Sequence, residues 1–234
     1  MKIYIYYRHT SNHIVRNRPS WFSFENCWKN LLNTTYKKEN INITLALDGD
    51  INNDFTKNYK DRFTLFPTDY NSSLISYREL LKHIKGIKMD KDDLIYFVEN
   101  DYIHKKESSD IINEGFSLGA SFVSLYDHPD KYLDPLRGGN PYCEGGGEDT
   151  RVYLTDSCHW KVTNSTTMTF AAKVSTLKRV ESILRKWTSE THPNDFQMFL
   201  ELRDNNELLI TPLPGYATHG ETAWLSPLTD WSKV

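Results

Sequence analysis

The stretch Asp93-Leu94-Ile95-Tyr96-Phe97-Val98-Glu99-Asn100-Asp101-Tyr102 decides how this chain is read. From Leu94 to Val98 it is apolar without alternation and rich in β-branched and aromatic residues, the pattern of a strand buried on both faces. The run ends in two carboxylates at alternate positions, Glu99 and Asp101. In open α/β sheets ligands collect at the carboxyl ends of the strands. Two readings of these carboxylates stand side by side. They are oxygen ligands for a hard divalent cation, which is commonly held by one or two carboxylates plus substrate phosphates, or they are solvated strand-end residues or the cap of the next helix.

Working outward, the pattern on both sides is that of an α/β protein. Ile3 to Tyr7 reads as a buried strand ending at Arg8, and Trp21, Phe24, Trp28, Leu31 and Leu32 recur at helical spacing, which predicts a helix over 23–33. Ile43 to Leu47 is a second strand, stopped by Asp48-Gly49-Asp50, and Thr64 to Phe66 a third. Leu74, Tyr77, Leu80, Leu81 and Ile84 mark a helix capped by Asn71 or Ser72 and ended by Gly86. Beyond Asp101, Ile111, Ile112 and Phe116 predict a helix and Ser121 to Tyr126 a strand. Strands alternating with helices imply a central, mostly parallel sheet flanked by helices. Arg8, Asp48 with Asp50, and Glu99 with Asp101 then converge on one edge, although Asp50 also suits an Asp-Gly turn.

The second half is less regular. Asp134 to Thr150 carries Gly138-Gly139 and Gly145-Gly146-Gly147, the composition of a lid or a disordered loop. Arg151 to Leu154 reads as a strand, and Leu177, Val180, Ile183, Leu184 and Trp187 as one helix. Asn194 followed by Gln197 is a capping box opening another helix, and Leu208 to Thr211 is a last strand. Without a repeat or a convincing linker, one domain over residues 1–234 is expected.

Composition narrows the partners. With 234 residues and a formal net charge of -3, the chain is long enough for a full core and has no strongly basic surface, so nucleic acid is not an expected partner. No stretch approaches the roughly 18 consecutive apolar residues of a membrane span. The 3 cysteines, Cys27, Cys143 and Cys158, are widely spaced and never in a Cys-x-x-Cys pair, against a disulfide framework or a cysteine zinc site. A cytoplasmic location is the natural expectation.

The apolar strand ending in Glu99-Asn100-Asp101 resembles the Asp-x-Asp-type motif of GT-A glycosyltransferases, the nucleotide-sugar enzymes of the family 2-like group. More of their pattern recurs downstream in the same order. The small-residue segment Thr166-Thr167-Met168-Thr169-Phe170-Ala171-Ala172-Lys173 precedes Asn194-Asp195-Phe196-Gln197 with Arg203, then Leu208-Leu209-Ile210-Thr211-Pro212, then Ala217-Thr218-His219-Gly220. The match spans roughly residues 3–220. It departs from the family pattern where an acidic pair becomes Asn194-Asp195 and where a glycine before the acceptor-side segment is absent.

The resemblance implies a GT-A-like nucleotide-binding fold, with residues 1–101 as the nucleotide-binding half and 102–234 as the acceptor and catalytic half. It implies a Mn²⁺- or Mg²⁺-dependent, inverting transfer of a sugar from a nucleotide-sugar donor to a hydroxyl of a glycan or other acceptor. Asp101 and His219 would hold the cation, with Glu99 assisting. Asp195 would be the base, a role that competes with simple capping, since the helix dipole favours a carboxylate there and would lower its pKa. Glu148-Asp149 is the rival acidic pair. Arg8, Thr10, Asp48, Asp50 and Asn100 fall where the family binds the nucleotide, while Thr167 and Trp224 border the acceptor side. Two other classes remain: a nucleotidyltransferase, disfavoured because His9 to Pro19 has Arg16 and Arg18 but no glycine, and a non-catalytic carbohydrate or nucleotide binder.

Overall fold

The computed structural model describes residues 1–10, 16–35, 38–49, 58, 60–69, 73–189 and 193–234. Its strands are β1 (Ile3–Thr10), β2 (Ile41–Asp48), β3 (Thr64–Thr68), β4 (Leu94–Glu99), β5 (Tyr102–His104), β6 (Phe122–Val123), β7 (Val152–Leu154), β8 (His159–Val162), β9 (Phe170–Lys173), β10 (Leu209–Leu213) and β11 (Ala217–His219). The helices are α1 (Phe24–Thr34), α2 (Ser73–Gly86), α3 (Ser108–Ser117), α4 (Val174–Arg179), α5 (Glu181–Trp187) and α6 (Asp195–Asp204).

Nine strands form one sheet in the order β3-β2-β1-β4-β9-β6-β10-β8-β7, and β11 pairs with β5 in a separate two-stranded sheet. Only β8 and β9 run against the rest, so the sheet is mostly parallel, as the sequence pattern predicts.

The alternation hidden in the apolar run of β4 shows in its packing. Leu94, Tyr96 and Val98 join Ile3, Ile5 and Tyr7 of β1 in the core beneath α1 and α3. Ile95 and Phe97 join Tyr6 on the opposite face, against α2, α4, α5 and α6. Full burial is worth roughly 1.5–3 kcal/mol for each such side chain. Strand propensities span only about 1 kcal/mol, so the two covering layers hold β4 in place.

Ser23 caps α1 by accepting the Asn26 N–H, close to the predicted start. Three expectations change. The strand read over 121–126 is only Phe122–Val123, because the chain leaves the sheet to bond the β10–β11 connection through Tyr216 and Ala217. The single helix read through Trp187 breaks at Val180 into α4 and α5. The glycine-rich segment is not a disordered loop: it is a series of tight turns pinned by buried Asn140, whose amide bonds Asn164 and Ser165. Gly139 is needed there, since a Cβ would fall 1.9 Å from the Leu133 carbonyl oxygen. Asn71 and Ser72 lie outside the described residues.

All three cysteines are buried and unpaired. Among the described residues no helix is long and apolar enough to cross a membrane.

Candidate active site

The small sheet is what assembles the site. Asp101 immediately precedes β5, and in the β5–β11 ladder His219 faces Tyr102. The Gly220 N–H donates to the Asp101 carbonyl at 2.6 Å. Two residues far apart in sequence thus meet, with Asp101 Oδ2 lying 2.9 Å from His219 Nε2. Gly220 is required by this approach: a Cβ would sit 2.4 Å from Phe22 Cδ2 and 3.0 Å from the Asp101 carbonyl oxygen.

Arg18 completes the cluster. Its Nη1 and Nη2 each donate to Asp101 Oδ2 at 3.0 Å, Nη1 also reaches the Gly220 carbonyl at 2.8 Å, and the guanidinium stacks 4.3 Å from the Phe22 ring centroid. Burial works to raise the pKa of Asp101, but His219 and Arg18 outweigh it and hold the carboxyl below the ordinary carboxylate range. Asp101 is therefore anionic throughout the neutral range. Glu221 accepts from Arg16 at 2.6 Å and lies 3.8 Å from His219 Nδ1, so His219 has a carboxylate on each side.

Glu99 turns elsewhere. It pairs with Arg8 at 3.2 Å, and Thr169 ties it twice, accepting its N–H at 3.1 Å and donating to Oε2 at 3.2 Å. Asn100 contacts His9 Nδ1 at 3.2 Å, and its carbonyl accepts the Tyr7 hydroxyl. Thr10 and Asp48 are register partners at the ends of β1 and β2. Asp48 is buried and accepts from Thr68 at 3.1 Å. Beside it opens a cleft of about 440 Å³ lined by Gly49, Pro67, Thr68 and Asp69. Asp50 lies outside the described residues.

Asp195 opens α6 behind the cap Asn194, and its own Oδ1 accepts the Phe196 N–H at 2.7 Å. The dipole argument expects a lowered pKa. The opposite holds: burial first, then the negative charge of Glu99, push it from the usual 3.8 up to about 7, against the opposing pull of Lys131 and two backbone N–H groups. Part of the residue's surface still meets solvent, but its carboxyl is deep enough for desolvation to win. Asp195 thus shares an electrostatic environment with Glu99 and the Lys131 loop.

The rival pair is placed differently. Glu148 accepts from Thr163 and from the Asn164 N–H at 2.7 Å and sits 3.6 Å from Lys161, while Asp149 is exposed. Thr167 bonds the Tyr102 hydroxyl at 2.8 Å. Trp224 ends a run of ring contacts that leaves His219 through Tyr102, Tyr126 and His128, each step between 5.0 and 5.5 Å.

Sequence reasoning did not assign Arg18 to Asp101, nor find the buried ammonium groups. Lys131 bonds Asn164 and Ser165 at 2.6 Å, and Lys161 pairs with Asp127 at 3.0 Å. Their partners lie on loops about thirty residues away, with no periodicity to announce them.

No group of three His, Cys, Asp or Glu suited to a metal ion occurs among the described residues. The nearest approach to one is the pair Asp101 and His219, whose Oδ2 and Nε2 are hydrogen-bonded to each other at 2.9 Å while Arg18 holds the same Oδ2.

The sheet order and this edge of convergent polar residues invite comparison with solved structures. The fold is GT-A-like. TarS of S. aureus, in the structure spanning its positions 1–349, superposes with a TM-score of 0.51 at 13% identity over 90% of this chain. The chain spans 58% of that structure's length. A 4-diphosphocytidyl-2C-methyl-D-erythritol synthase gives a TM-score of 0.52 at 10% identity, covering 99% of this chain and 94% of its own. A CMP:2-keto-3-deoxy-manno-octonic acid synthetase complexed with CTP gives 0.52 at 10% identity, with 95% of each chain covered. At these identities the likeness is one of fold. No family model and no curated protein matches the sequence.

Proposed function

We propose that the protein is a nucleotide-utilising transferase, and specifically an inverting glycosyltransferase that moves a sugar from a nucleotide-sugar donor to a hydroxyl of a glycan or other acceptor. The observation that carries this reading is the Asp101–His219 pair at the carboxyl edge of the sheet. Asp195, its pKa pushed up to about 7 by burial and by the charge of Glu99, supports it. The fold neighbours support it: TarS is a family 2 glycosyltransferase, and the two synthases use cytidine nucleotides.

Asp195 takes the acceptor proton. A carboxylate near pKa 7 is a stronger base than an ordinary one and is still largely ionised just above neutrality. The freed oxygen attacks the anomeric carbon as the bond to the donor diphosphate breaks. Asp101 and His219 are the residues that would hold Mn²⁺ or Mg²⁺, which would supply neutralisation of charge on the leaving diphosphate. Glu99, fixed by Arg8 and Thr169, raises the basicity of Asp195 by its charge. Arg8, Thr10, Asp48 and Asn100 border the nucleotide at the ends of β1, β2 and β4. Thr167 and Trp224 flank the sugar and acceptor. Glu148, held by Thr163 and Asn164, shapes that side and leaves the base role to Asp195.

A second reading, nucleotidyl transfer, has one observation in its favour: this chain spans nearly the full length of both synthases. Product analysis separates the two. With a nucleotide-sugar and an acceptor, a glycosyltransferase releases nucleoside diphosphate. With a nucleoside triphosphate and a sugar substrate, a nucleotidyltransferase releases pyrophosphate. Pyrophosphate release without nucleoside diphosphate release refutes the first reading, and release of neither across a donor panel indicates a binder.

A further inference from the structure

The nine-stranded sheet ends in β3 on one side and β7 on the other, and the two ends are finished differently. An edge strand presents unpaired N–H and C=O groups, which proteins blunt with proline, charge or cover. At the first end β3 carries Pro67. At the second, Val152-Tyr153-Leu154 has neither proline nor charge, and Val152 and Leu154 are 53% and 67% exposed. We propose that β7 is the contact strand of a homodimer, pairing antiparallel with β7 of a second copy about a two-fold axis between the two Tyr153 residues.

The hydrogen bonds of β7 set the register. The Val162 N–H donates to the Arg151 carbonyl at 3.0 Å and the Thr155 N–H to the Cys158 carbonyl at 3.1 Å, with Val152 opposite Lys161 and Leu154 opposite His159. Residues 151, 153 and 155 therefore bond inward to β8, and the N–H and C=O groups of Val152 and Leu154 point outward. When Val152 of each copy faces Leu154 of the other, both outward residues exchange main-chain bonds. A shift of two positions leaves one of them beyond the facing strand.

Charge agrees with this pairing. Arg151 and Asp156 flank β7 at opposite ends, both exposed, and neither joins an ion pair among the described residues. Antiparallel self-pairing lays each Arg151 beside the partner's Asp156 and keeps the two arginines at opposite ends of the interface, whereas parallel pairing would set like against like. The apolar surface also extends past the strand. Val152 shares a sheet face with its register partner Lys161, whose ammonium lies 4.3 Å from the ring centroid of Tyr132, and both Tyr132 and Leu133 are exposed. They add the area that a ladder of three residues lacks for a stable interface. The edge complements itself in hydrogen bonds, apolar side chains and charge, so its occupant is a second copy. With β3 blunted, each copy offers one such edge and assembly closes at two.

The test is sedimentation velocity over a range of concentrations up to the solubility limit, on the wild type, Leu154→Lys and Val152→Lys. Both positions are exposed, and circular dichroism checks that the variants fold. The wild type is expected to sediment as a dimer and each lysine variant to associate at least about ten-fold more weakly. Disulfide trapping reads the register: Val152→Cys and Leu154→Cys are oxidised separately and after mixing. Directly opposed residues stand about 5.5 Å apart, within disulfide reach. Residues two positions off register stand about 7–8 Å apart, beyond it. Covalent dimer is therefore expected in the mixture and in neither protein alone, since the native cysteines are buried. A monomeric wild type, assembly beyond two copies, a dimer indifferent to both lysines, or no preference for the mixture in trapping overturns the inference.

Discussion

Asp101 Oδ2 and His219 Nε2 lie 2.9 Å apart, although 118 positions separate the residues (219 minus 101). A ladder of two three-residue strands brings them together, with His219 opposite Tyr102 and the Gly220 N–H on the Asp101 carbonyl. The pair rests on backbone geometry, and side-chain exchanges test its function without dismantling its frame.

Backbone exchange does the reverse. Gly220→Ala places a Cβ against the Phe22 ring and the Asp101 carbonyl. Overpacking of this kind costs about 1–3 kcal/mol, so thermal unfolding is expected some degrees lower than in the wild type. An unchanged melting temperature would mean that the close approach is not rigid.

Asp195→Asn is expected to reduce turnover by about 10²–10⁴ while donor affinity changes little. In the wild type kcat/KM should rise with pH through about 7 and level off above it, because the carboxyl must be ionised to accept a proton. The variant should lack that limb. A pH–rate profile of both proteins with donor and acceptor checks this, and an unaltered profile in the variant removes Asp195 from proton transfer.

Stability should follow pH through two buried groups of opposite sign. Burial lowers His104 from 6.5 to about 3, where it sits fully enclosed with Nε2 on the Tyr96 hydroxyl at 2.8 Å. The unfolded chain therefore binds this proton between those values and the folded chain does not. The contribution is complete above pH 6.5 and is lost as pH falls toward 3, at up to about 1.4 kcal/mol per pH unit. Asp195, raised to about 7, acts the other way: its contribution is present below about pH 4 and is lost as pH rises to 7. Their windows overlap, so each is read against its own variant. Melting curves of His104→Phe should lose the acid-side decline. Those of Asp195→Asn should gain on the wild type between pH 4 and 7. Parallel curves in either case contradict the assignment concerned.

Much of the fold is legible in the sequence because β1, β2 and β4 are covered on both faces and α1 and α2 carry a single apolar stripe. Burial there leaves a periodic trace. The strands β5, β6 and β11 are too short to show a period, and the break at Val180 leaves the apolar spacing of α4 and α5 intact. At the site, Asp101 is singled out by its place at the end of a buried apolar strand, whereas His219 is singled out only through the order of motifs in a family resemblance. Nothing local says that Glu99 faces Arg8 and Thr169 or that Arg18 faces Asp101. The pKa of Asp195 is illegible for the same reason: the dipole of α6 can be read from sequence, but the burial that outweighs it depends on packing and on the charge of Glu99.

The most direct measurement is calorimetric titration of UDP, CDP, GDP and dTDP into the wild type and Asp101→Asn with and without Mn²⁺. The wild type is expected to bind one diphosphate at least ten-fold more tightly when Mn²⁺ is present, through the cation's neutralisation of phosphate charge, and Asp101→Asn to show no such gain. Wild-type affinity for every diphosphate unchanged by Mn²⁺ would contradict the Asp101–His219 site as the seat of donor binding.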